Sequence, residues 1–121
     1  MSRKILIVDD EPNIVMSLEY AFKKKDFEVF IARDGTEALE IARKQRPNIV
    51  LLDIMMPKMD GYETLKQIRS NKDLNGTKVV FLSAKSKMAD VKKGLKLGAD
   101  SYVTKPFSVK KVIADIEEMI A

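Results

Sequence analysis

The sequence predicts an α/β domain built on a parallel sheet with helices on both faces. Short, uniformly apolar, β-branched runs recur along the chain, the pattern of strands buried on both sides. Between them lie segments whose apolar residues repeat at helical spacing. The two patterns alternate five times, an order that gives a parallel sheet with crossover helices.

Taken in order, Ile5 to Val8 is the first strand, and Ile14, Leu18 and Phe22 mark the first helix at i, i+4 and i+8, with Pro12 in its opening turn. Phe27 to Ala32 reads as a more alternating strand. A helix from Thr36 to Arg46 follows, with Ala38, Leu39, Ile41 and Ala42 on one face. Ile49 to Leu52 is a third strand, and Tyr62, Leu65 and Ile68 line the next helix. Val79 to Leu82 is the fourth strand. Met88, Val91, Leu95 and Leu97 give a poorer helical pattern, interrupted by Gly94. Ser101 to Val103 is the weakest strand, and Val109, Val112, Ile113, Ile116 and Ile120 make a clear final helix. Gly35, Pro47, Gly76 and Gly98 fall where connections belong. With no linker, repeat or low-complexity stretch, residues 1–121 read as one domain.

Composition narrows the chemistry. The chain of 121 residues is 45% apolar and 33% charged, ordinary for a soluble globular domain. It has no cysteine, which excludes disulfides, thiolate metal sites and cysteine nucleophiles and suits a reducing cytoplasm. It has no histidine, which excludes Ser-His-Asp catalysis, histidine zinc sites and an internal phosphohistidine relay. The net charge of +4 is spread over scattered lysines without interleaved aromatic residues, so direct nucleic-acid binding is not expected. No apolar run approaches the about 20 residues that cross a membrane, and Met1-Ser2-Arg3-Lys4 does not open a signal peptide. The expected location is cytoplasmic.

In an open parallel sheet, ligands bind beyond the carboxyl ends of the strands. There the chain carries Asp9-Asp10-Glu11, Asp53, Ser83-Ala84 and Thr104-Lys105-Pro106. Clustered carboxylates repel one another, and a hard divalent cation relieves the conflict. Mg2+ takes oxygen ligands and commonly uses one or two carboxylates together with phosphate oxygens. A carboxylate can also act as a covalent nucleophile and form an acyl phosphate, with cations about the transferred group. Asp53, ending the central strand, suits the nucleophile; Asp9 and Asp10 suit the metal; Lys105 supplies a second cation and Ser83 a hydroxyl. Asp60 reads as a helix cap and Gly61 as part of its turn. Met55, Met56 and Met59 read as loop and packing residues, since no other soft ligand accompanies them.

Four blocks, each at a predicted strand end, carry a resemblance. Ile7-Val8-Asp9-Asp10-Glu11, Leu51-Leu52-Asp53-Ile54-Met55-Met56-Pro57 with Met59-Asp60-Gly61, Leu82-Ser83-Ala84, and Lys105-Pro106-Phe107 resemble the signature blocks of response-regulator receiver domains of two-component signalling (the CheY-like superfamily). The resemblance runs from Arg3 to the last helix. It implies a three-layer, flavodoxin-like (βα)5 sandwich with strand order 2-1-3-4-5. It also implies a phosphoacceptor, not an enzyme with an external substrate: Asp53 takes a phosphoryl group from a sensor histidine kinase, a phosphotransfer protein or a small phosphodonor, and loses it by autodephosphorylation. Mg2+, for which Mn2+ can substitute, is implied on Asp10, Asp53 and the Met55 backbone carbonyl, with Asp9 acting largely through water. Lys105 is implied to pair with the phosphoryl group across a cis Lys105-Pro106 bond, and Ser83 and Tyr102 to form the switch pair. Further implications are a downstream target or an output domain elsewhere, and homodimer formation through the last two helices. Met55 and Lys85 occupy the positions that modulate phosphoryl lifetime; neither is a base for hydrolytic water, so slow self-dephosphorylation is expected.

Other readings fit less of the chain. A dehalogenase-type phosphatase also uses an aspartyl phosphate on a parallel sheet, but it carries a second Asp where this chain has Met55, and no cap domain is evident. A nucleotide-binding domain would need a glycine-rich phosphate loop, and none is present. A receiver-like module that is never phosphorylated would not need all of the pocket residues.

Overall fold

The computed structural model describes residues 3–121. Strands β1 (Arg3–Val8), β2 (Phe27–Ala32), β3 (Ile49–Leu52), β4 (Lys78–Ser83) and β5 (Ser101–Thr104) alternate with helices α1 (Pro12–Lys24), α2 (Gly35–Gln45), α3 (Gly61–Ser70), α4 (Met88–Lys96) and α5 (Val109–Met119). The strands form one sheet in the order β2-β1-β3-β4-β5, and every neighbouring pair is parallel. This is the flavodoxin-like α/β arrangement that the sequence led us to expect.

Side chains on a strand alternate between faces, so each apolar run feeds two cores. Leu6, Val8, Val50, Leu52, Val79 and Phe81 pack with residues of α2 and α3. Ile5, Ile7, Ile49, Leu51, Val80 and Leu82 pack on the other face with residues of α1 and α5. Double-sided burial explains why the central strands read as unbroken apolar runs. β2 and β5 lie at the edges, which is why their sequences are more mixed.

The structure adjusts several boundaries. β1 starts at Arg3, two residues before the apolar run, because its polar residues have partners. The Arg3 guanidinium lies 4.2 Å over the Phe27 ring, and the Lys4 amide donates to Asn48 Oδ1 at 2.7 Å. α2 starts at Gly35 and not Thr36, because Asp34 is the cap and its carboxylate accepts the Glu37 amide at 2.9 Å. Gly35 is thus the first helical residue and not part of a connection. α2 stops before Arg46, which turns left-handed at φ 48° ahead of Pro47. A short 3-10 turn at Lys72–Leu74 was not anticipated.

Gly94 does not break α4. It is the residue at which that helix meets the sheet: a Cβ there would sit 2.9 Å from Phe81 Cδ2 and 3.0 Å from Tyr102 Cδ2. It is also the only buried residue of α4, whose Met88 and Leu95 face solvent. At the opposite, amino-terminal edge of the sheet, Arg69 of α3 ties down the chain just ahead of β4 and β5. Its guanidinium donates to Gly98 O (3.0 Å), Thr77 O (2.8 Å) and Asp100 Oδ2 (2.8 Å).

Candidate functional site

Three residues of the site stand one position beyond their strands, and each is held by one more backbone bond of the sheet. The Asp9 amide donates to Ala32 O (3.2 Å), the Asp53 amide to Val8 O (2.9 Å) and the Lys105 amide to Ser83 O (2.9 Å). The ladder therefore fixes these backbones rigidly where the strands release the chain. Asp9, Asp10 and Asp53 each bring one carboxylate oxygen to within 4.8 Å of the others. Asp9 and Asp53 are buried, and Asp10 is exposed.

Each buried carboxylate has one oxygen satisfied. Asp9 Oδ1 accepts the Glu11 amide at 2.9 Å, and Asp53 Oδ1 accepts the Met55 amide at 3.3 Å. Lys105 Nζ sits among the acids, with its side chain only 11% exposed: 2.7 Å from Glu11 Oε1, 3.0 Å from Asp9 Oδ2 and 3.6 Å from Asp53 Oδ2. Its approach to Asp9 Oδ2 lies off the hydrogen-bonding direction, so that buried oxygen has an ionic neighbour but no hydrogen bond. Burial raises the Asp53 carboxyl, and the Asp9 charge raises it further; Lys105 and the Met55 and Ile54 amides pull the other way, leaving it at about 6. Burial works against the Lys105 ammonium, but the carboxylates of Glu11, Asp9 and Asp53 keep its pKa above the ordinary lysine value.

The expected switch pair is joined through one residue. Ser83 is fully buried and its Oγ accepts the Lys85 amide at 3.2 Å, while the Tyr102 hydroxyl donates to the Lys85 carbonyl at 2.7 Å. Tyr102 also lies 5.9 Å from the Phe81 ring. The Lys105-Pro106 peptide is cis. Asp60 caps α3 as expected, its Oδ1 accepting the Glu63 amide at 2.9 Å. Met56 and Met59 pack on the core, whereas Met55 is 61% exposed.

Two contributors escaped the sequence reading. Gly61 is more than a turn residue: its amide donates to Ile54 O at 2.8 Å, and a Cβ there would collide with the Asp53 carbonyl and approach Ile54 Cα at 2.7 Å. Only glycine lets α3 begin against the backbone that carries Asp53. Glu11 is the closest partner of Lys105; its signal was adjacency to the acid pair, but its partner lies 94 residues away.

Comparison with known proteins agrees with this geometry. Residues 5–117 match the response regulator receiver domain family. The chain is 42% identical over 120 residues to the alkaline phosphatase synthesis transcriptional regulatory protein PhoP of Bacillus subtilis (strain 168), a match that covers 99% of this chain and 49% of PhoP. It therefore spans about half the length of that relative. Among solved structures, the receiver domain of the Francisella response regulator 1452 superimposes with a TM-score of 0.91 at 32% identity, covering 98% of this chain and 97% of that one. The chemotaxis response regulator CheY4 of Vibrio cholerae gives a TM-score of 0.91 at 28% identity, covering 98% of each chain. With its five-stranded parallel sheet and its acidic cluster at the strand ends, the chain belongs to the response-regulator receiver-domain family of two-component signalling.

Proposed function

We propose that the chain is a Mg2+-dependent phosphoacceptor switch, with Asp53 taking the phosphoryl group. The observation that carries this is the convergence of the Asp9, Asp10 and Asp53 carboxylates within 4.8 Å, with the Lys105 ammonium 3.6 Å from Asp53. The donor set suits a hard cation: it is all oxygen, one buried oxygen of Asp9 lacks a hydrogen bond, and Asp53 is disfavoured as an anion by burial and by Asp9. Asp9, Asp10, Asp53 and the Met55 carbonyl would hold Mg2+. Bound there, Mg2+ or Mn2+ neutralises the acids and the charge on the transferred group.

The chain's own residues account for the rest. The donor's bond to phosphorus breaks with its electron pair left on the donor, and one carboxylate oxygen of Asp53 bonds to phosphorus. The donor is a histidine kinase, a phosphotransfer protein or a small acyl phosphate. The Met55 amide orients the Asp53 carboxylate, and Lys105 moves onto the new oxygens. Ser83 exchanges the Lys85 amide for a phosphoryl oxygen, and the Tyr102 ring follows by leaving the Lys85 carbonyl. Phosphorylation adds charge and acceptor oxygens at one point, enough to bias a packed element between two arrangements. The surface that reports the change lies on the last two strands and helices. Its reader is a separate protein, a second copy or an output domain, and the half-length match to a transcriptional regulatory protein supports an output domain.

The test is intact mass spectrometry after incubation with acetyl phosphate, with and without Mg2+, beside Asp53→Asn. A Mg2+-dependent gain of one phosphoryl group, absent in the variant, is the expected result. Silence with acetyl phosphate and with a panel of histidine kinases would leave an unphosphorylated interaction module.

A further inference from the structure

Glu11 is the residue before α1, yet its side chain does not cap the helix. It crosses instead to the other side of the pocket, where Oε1 takes the Lys105 ammonium at 2.7 Å. This is the shortest contact Lys105 makes; Asp9 Oδ2 is at 3.0 Å and Asp53 Oδ2 at 3.6 Å. The Glu11 side chain is 57% exposed, so it is not enclosed: its backbone fixes where it starts and the Lys105 ammonium where it ends. Two constraints fix that backbone. The Glu11 amide is bound to Asp9 Oδ1, and Pro12 confines Glu11 to an extended conformation, observed at φ −90° and ψ 109°. Lys105 is likewise tied through its amide to Ser83 O. Ring and ladder thus present one carboxylate and one ammonium to each other across the mouth of the site.

We propose that Glu11 is a positioning residue for Lys105: it holds the ammonium off Asp53 in the resting protein and yields it when a phosphoryl group is present. The proposal rests on the reading of Asp53 as phosphoacceptor. The two states compete for one cation. At rest, Glu11 offers a single carboxylate. After transfer, Asp53 carries additional negative charge and three acceptor oxygens beside the same ammonium. Removing the Glu11 charge removes the nearer of two competing carboxylates and leaves Asp9 in place, so Lys105 reaches the phosphoryl position more readily.

The test compares wild type, Glu11→Gln and Asp53→Asn in two measurements. In EDTA, NMR of the lysine ammonium groups is expected to show the Lys105 Nζ resonance displaced in Glu11→Gln, where Asp9 and Asp53 alone hold the ammonium, and an unchanged resonance would overturn the role of Glu11. In Mg2+, titration with beryllofluoride, a phosphoryl mimic, is expected to show Glu11→Gln binding about two- to fivefold more tightly than wild type, the range of a half-exposed ion pair. The gap should close at 1 M salt, because an ion pair is screened and a purely steric effect is not. Equal or weaker binding by Glu11→Gln, with wild type binding normally and Asp53→Asn not binding, would overturn the role of Glu11 alone. Failure of wild type to bind beryllofluoride at Asp53 would overturn the phosphoacceptor reading and this proposal with it.

Discussion

Asp53→Asn should make the protein more stable at neutral pH without metal. The Asp53 carboxyl is displaced from 3.8 to about 6, first by burial and then by Asp9. A carboxyl raised in the folded state favours folding only while it is protonated. Its contribution is therefore fully present below 3.8, declines as the pH rises and is gone above about 6. The full displacement corresponds to about 3 kcal/mol, and water and side-chain relaxation at the pocket mouth bring the expectation to about 1–3 kcal/mol. Asparagine keeps the shape and carries no charge, so it escapes this cost. Urea denaturation in EDTA should show Asp53→Asn above wild type by that amount at pH 7.5, with the two converging near pH 4. Adding Mg2+ at pH 7.5 should raise wild type more than the variant and narrow the gap. A variant that is less stable at pH 7.5, or a gap independent of pH, would refute the claim that the ionised Asp53 is held against its preference.

Three further outcomes can be checked directly. Gly94→Ala should cost about 1–2 kcal/mol in urea denaturation, because overpacking against Phe81 and Tyr102 outweighs the helical gain of about 1 kcal/mol. Arg69→Met should cost about 2–4 kcal/mol by the same assay, since it strips hydrogen bonds from Gly98 O and Thr77 O and the ion pair from Asp100. The phosphoryl lifetime, followed by intact mass after removal of the donor, should be long in wild type and change in Lys85→Glu or Met55→Asn; no change in either would dissociate these positions from hydrolysis.

The parts of the fold legible in the sequence were those governed by local pattern. β3 and β4 are buried on both faces, so their apolar runs stand out against polar flanks. Asp9 and Asp53 were legible because each directly follows such a run, and Lys105 because it follows the weaker last strand; the topology then gathers strand ends at one edge. What escaped depends on partners distant in sequence. Arg3 and Lys4 extend β1 because Phe27 and Asn48 receive them. Gly94 looks like a flaw in an amphipathic helix until Phe81 and Tyr102 are seen beneath it. Glu11 offers no signal that its carboxylate will prefer Lys105 to the amides of its own helix. Gly61 announces a turn, but not that the backbone of Asp53 presses against it.

The glycine seat of α4 has an energetic consequence. α1, α2, α3 and α5 each sink two or more apolar side chains below the surface, whereas α4 sinks none. Lifting or sliding α4 therefore withdraws little apolar surface of its own, and the Phe81 and Tyr102 rings beneath Gly94 are the main area it uncovers. Its amides should exchange with solvent ahead of those in the other helices. A binding partner that prefers the displaced helix needs only a modest difference in affinity to populate it. The chain thus keeps a rigid floor under its acids and leaves one wall inexpensive to move.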